Sequence, residues 1–95
     1  MKKVAILIND IAQQYEGLRL SLGVSLTDVD VQMVVFGHEI ANMDEAYQDN
    51  MEFFDEMGGQ RISNNMENAE KYGFQHATIK EIAKRLKNVD FIIPF

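Results

Sequence analysis

Apolar residues recur along the chain with two different periods. Val4 to Ile8 form an unbroken apolar run of strand length, the pattern of a strand buried on both faces. Asp10 follows with Gln13 three residues on, an N-cap and its partner. Ile11, Tyr15, Leu18 and Leu22 then repeat at helical spacing, widened by Leu20, Val24 and Leu26. The next run, Val29 to Phe36, is rich in β-branched residues and closes at Gly37, which predicts a second strand. From Asp44 to Met57 the chain carries acids in its first turn and stops at Gly58-Gly59, which predicts a helix with a glycine C′ end.

The second half repeats this rhythm more faintly. Gln60 to Ser63 holds only Ile62 as a strong strand former, and it is read as a third strand because the alternation requires one. Asn64 with Glu67 reads as an N-cap pair, and Met66, Ala69 and Tyr72 give a short helix ended by Gly73. Thr78 with Glu81 forms a capping box opening a helix whose apolar face is Ile79, Ile82, Ala83 and Leu86, with Lys84, Arg85 and Lys87 near its C-terminus. Phe91 to Phe95 is the last strand. The order predicts a single α/β domain over residues 1–95, a flavodoxin-like three-layer sandwich. Its four parallel strands are expected in the order 2-1-3-4, with helices on both faces.

In such a sheet ligands bind beyond the carboxyl ends of the strands, where the strand order reverses. The predicted order puts that point between the first and third strands, so Asn9 and Asp10 should face Ser63, Asn64 and Asn65. His38 should flank this candidate ligand-binding cleft. Asp10 and Asn64 are read first as helix caps. Ser63 would need a neighbouring base to act as a nucleophile, and spacing places neither His38 nor His76 beside it. His38 and Glu39 are adjacent and point apart, so no metal site is expected. No glycine-rich loop with a lysine supports phosphate binding, and no strand-end aspartate has the lysine partner of a phosphoacceptor domain. No catalytic residue and no cofactor is predicted.

Composition removes further options. The net charge of −6 lacks a basic stripe, so nucleic acid is not an expected partner. The chain has no cysteine, which excludes disulfides, thiolate metal sites and a persulfide carried by this chain. The apolar run behind Lys2 and Lys3 is too short for a signal peptide, and no stretch approaches a membrane span, so a soluble cytoplasmic protein without membrane association is expected. On the helix from Asp44 to Met57, Tyr47, Met51 and Phe54 form one apolar row and Ala46, Phe53 and Met57 a second. Together they are wider than a thin domain easily buries. Either all of it packs on the sheet or part faces another subunit.

The stretches KKVAILIND, EGLRLSLGVSL, VDVQMVVFGHEI, GGQRISNNMENAEKYGF and TIKEIAKRLKNVDFIIPF together resemble the DsrE/DsrF-like family, which includes sulfur-relay subunits of the DsrEFH and TusBCD type. The resemblance implies a small α/β subunit that forms trimers or hexamers with itself or with related DsrE-like chains. Sulfur-carrying members hold a persulfide cysteine at the strand end matching Ser63 or Asn64, which neither residue can replace. The implied role is therefore a non-catalytic partner rather than a sulfurtransferase. The alternative is a small-molecule binding module or thiol-independent enzyme using the strand-end cleft.

Overall fold

A computed structural model describes residues 1–95. The strands are β1 (Lys2–Ile8), β2 (Val29–Val35), β3 (Gln60–Ser63), β4 (Gln75–His76) and β5 (Phe91–Pro94), and the helices are α1 (Gln14–Ser25), α2 (Glu45–Glu56), α3 (Met66–Tyr72) and α4 (Ile79–Leu86). All strand pairs are parallel, and the sheet order is β4-β3-β2-β1-β5. The class is the expected one, but the sheet has five strands rather than four, and the order 2-1-3-4 is replaced.

Two physical facts account for the difference. Right-handed crossovers couple the direction of each lateral step to the face its helix covers, yet leave the direction itself free. Here the chain steps the same way from β1 to β4, so α1 and α2 pack on one face. It then jumps back past β1 to β5, which carries α4 to the other. The added strand β4 has only two residues, Gln75 and His76, both exposed, and so leaves no hydrophobic signature.

The period of two divides the strands between two cores. Val4, Ile6 and Ile8 of β1 and Val31, Met33 and Val35 of β2 meet Leu18, Tyr47, Met51 and Phe54 from α1 and α2. On the opposite face Val34 and Ile62 meet Ala77 and Ile82 under α4, with Leu7, Phe36 and Leu86 alongside. This second layer is thin because one eight-residue helix covers that whole face.

Helix ends follow the sequence signals closely. In α2, Asp44 caps the Tyr47 N–H, and the far end closes with the Gly59 N–H on the Phe54 carbonyl and the Gly58 N–H on the Asp55 carbonyl. This nested pair is a Schellman closure, and it needs the left-handed φ of +87° that Gly58 supplies.

The capping box of α4 is complete: the Thr78 hydroxyl accepts from the Glu81 N–H at 3.1 Å, and the Glu81 carboxylate accepts from the Thr78 N–H at 2.8 Å. The Thr78 backbone N–H is the main reason the Glu81 carboxyl titrates below the usual carboxylate range. A depressed folded pKa means this contribution is present above the unfolded value, about 4.3, and is lost as pH falls through the folded pKa. Urea titrations across the acid limb should therefore show a shallower loss of stability in Glu81→Gln than in the wild-type chain.

Candidate functional site

The carboxyl ends of the strands carry a network of side-chain amides. The loop after β2 runs from Phe36 to Asp44, and three such residues hold it. The Asn64 side-chain oxygen accepts from the Gly37 N–H at 2.7 Å. Asn68 accepts from the Ile40 N–H at 2.9 Å and donates to the His38 carbonyl at 2.9 Å. Gln14 accepts from the Ala41 N–H at 2.9 Å and donates to the Glu39 carbonyl at 3.0 Å. Each amide offers both a donor and an acceptor, so it can replace a missing strand neighbour for irregular backbone.

Ser63 lies at the centre of this network and is fully buried. Its hydroxyl donates to the Val35 carbonyl at 2.6 Å and accepts from the Asn65 N–H at 3.0 Å and the Asn68 amide at 3.1 Å. No base is among these partners, and no hydrogen-bonding capacity is left for a substrate. Thiol chemistry can test this directly. Ser63→Cys should resist a thiol reagent in the folded protein and react on unfolding, whereas Asn64→Cys, half-buried, should react in the native state. Equal native rates at the two positions would show that the strand end is open.

The other predicted residues are placed as follows. Asp10 caps a short 3-10 turn, Ile11–Gln13, through the Ala12 N–H at 2.9 Å. Asn65, not Asn64, is the N-cap of α3, accepting from the Asn68 N–H. The shift by one residue frees Asn64 to hold Gly37. His38 is exposed and contributes its carbonyl rather than its ring. Because β2 lies between β1 and β3, Asn9 and Asp10 do not adjoin Ser63, Asn64 and Asn65 across a strand gap. The loop at Gly37 stands between them, and Asn9 turns to the face of α4, where it borders an apolar groove with Leu7, Phe36 and Ile79.

Sequence reasoning missed Asn68, Gln14 and Arg61. Arg61 holds Asp55 through two bonds of 2.8 Å, donates to the Tyr72 carbonyl, and lies 4.9 Å over the Phe74 ring. It thereby ties β3 to α2 and to the end of α3.

The concave space at this end of the sheet is a cavity of about 230 Å³ lined by Ile11, Ala12, Gln14, Tyr15, Ile40, Ala41, Asn42, Asp44 and Tyr47. The Tyr47 hydroxyl is buried without a hydrogen-bond partner, and burial pushes its pKa up, an effect that Arg61 partly offsets. No cluster of three or more His, Cys, Asp or Glu side chains is placed to hold a metal ion. No helix is long and apolar enough to cross a membrane.

Fold and site together define an open, all-parallel α/β domain whose strand-end polar groups are spent on positioning its own loops. Comparison with protein-family models, curated protein sequences and solved structures returns no match.

Proposed function

We propose that the chain is a non-catalytic, DsrE-like subunit that acts in the cytoplasm by assembling with copies of itself, as a trimer or hexamer, or with related subunits. The observation that carries this reading is the state of Ser63. Of the two positions that match the cysteine of sulfur-carrying family members, Ser63 has a fully buried hydroxyl engaged by three internal partners and Asn64 holds the Gly37 N–H. A residue so enclosed organises the fold; it does not present a reacting atom. Large apolar side chains outside the core add weight: Phe53 is 48% exposed and Ile79 62%. Light scattering at micromolar concentration should give a multiple of the 10.9 kDa chain mass. A monomer would overturn the reading.

A second reading, a small-molecule binding module, is favoured by the cavity whose lining includes Gln14, Tyr15, Asn42 and Asp44. A thermal-shift screen against nucleotides, flavins and sulfur metabolites tests it. The expected sign of binding is a stabilisation that Asn42→Ala, at the cavity wall, diminishes, and a screen without any stabilising compound counts against this reading.

A further inference from the structure

We infer that copies of this chain associate head to tail, the outer face of α2 on one copy packing against α4 of the next. This inference rests on the oligomer reading above and specifies its interface. On α2 the exposed residues Ala46, Phe53 and Met57 form an apolar row. Beside it Glu45, Asp49, Glu52 and Glu56 form an acidic row at spacings of four, three and four. On α4 the same two kinds of row occur, with the opposite charge. Ile79, Ala83 and Leu86 form an apolar row bordering the groove over Leu7 and Phe36. Lys80, Lys84 and Lys87 form a basic row next to it.

None of those four carboxylates and none of those three ammonium groups belongs to an ion pair within the chain. Each helix therefore presents an apolar strip with an unpartnered charged strip beside it, and the two charges are complementary.

Helical geometry also fixes the relative direction. At 100° per residue, viewed from the N-terminus, the acidic row lies counter-clockwise of the apolar row on α2, and the basic row lies clockwise of it on α4. Two helices facing each other bring these charged rows to the same side only when they run parallel. Both helices run back against their parallel strands, so a parallel α2–α4 contact leaves the strands of the two copies pointing the same way. The relation is a rotation about an axis roughly along the strands, with different surfaces on the two partners. Such a heterologous contact closes into a ring when the rotation divides a full turn.

Edge pairing of sheets is the competing route, and both edges are poorly suited to it. One edge strand, β4, has two residues. Just past β5 the Phe95 N–H donates to the Leu7 carbonyl of β1 and its carbonyl accepts from the Asn9 N–H beyond β1, so by alternation Ile92 and Pro94 face outward, and Pro94 has no N–H to donate.

Because Phe53 and Ile79 are exposed in the single chain, Phe53→Arg and Ile79→Asp should leave the fold intact by circular dichroism. Each alone should weaken self-association by about thirtyfold or more, the effect of a hot-spot residue, and yield monomers. Mixed one to one, they retain one sound surface of each kind, so light scattering should show a dimer and nothing larger. An oligomer that survives both substitutions overturns this interface alone, as does one broken by only one of them or a mixture that stays monomeric. A monomeric wild-type chain overturns the oligomer reading with it.

Discussion

Replacing Asn68 by leucine should cost about 2–4 kcal/mol of folding stability, because it strips partners from several buried backbone and hydroxyl groups at once. Asn68 is fully buried and bonds the Ile40 N–H, the His38 carbonyl and the Ser63 hydroxyl. Leucine is close enough in volume to fill the site and keep water out, so those groups would stay dry and unpaired. In a domain of this size the loss corresponds to a fall in melting temperature of roughly 10–25 °C. Urea denaturation and calorimetry would measure it. Asn68→Asp separates the two roles of the amide. The carboxylate still accepts from Ile40 but faces the His38 carbonyl without a donor, so its folded pKa should lie above the unfolded value. Its deficit should shrink as pH falls through that folded pKa, since the protonated acid regains one donor. A Leu variant as stable as the wild-type chain would mean that the amide network does not hold the β2–α2 loop.

The amide network also shows where the sequence stops being informative. Elements with a hydrophobic period were legible: the apolar run of β1, the β-branched run of β2, and the helix between the Asp44 cap and Gly58-Gly59 all form within a residue or two of their signals. Such signals report burial of one face, which is a local property. Strand order is not local. The crossover rule allows more than one order, and the choice lies in how far α4 carries the chain before Phe91 pairs with Val4. Asn68 and Arg61 left no trace for a related reason. A polar residue on a short helix or strand reads as solvent-facing, and only the tertiary arrangement places the β2–α2 loop above Asn68 and Asp55 beside Arg61.

The same limit applied to the candidate site. Ser63 ends β3 and Asn64 and Asn65 follow it, but proximity to Asn9 and Asp10 requires an order in which β1 and β3 are neighbours. With β2 between them, the polar groups serve the loop that crosses the gap. The wide apolar face of α2 was visible from its two rows. The structure divides it, burying Tyr47, Met51 and Phe54 and leaving Phe53 and Met57 exposed.

Phe54→Ala should produce the largest single loss, about 3–5 kcal/mol, enough to unfold a substantial fraction of a domain with only about 5–15 kcal/mol in total. Phe54 is fully buried in the main core between α2 and the sheet. Its ring also sets a requirement on the chain five residues later. A Cβ at Gly59 would overlap the Phe54 ring atoms Cζ, Cε1 and Cε2, so the second glycine of the α2 stop is needed for space, as the first is needed for its backbone angle. Gly59→Ala alone should therefore cost about 1–3 kcal/mol by overpacking. In a Phe54→Leu background the obstructing ring edge is gone, and the same change should cost less. The two losses are then expected to be less than additive, with a coupling of about 1 kcal/mol in a double-mutant cycle measured by urea denaturation. Strict additivity would mean that the Gly58-Gly59 closure and the aromatic core are independent, and that Gly59 is required for a reason other than contact with Phe54.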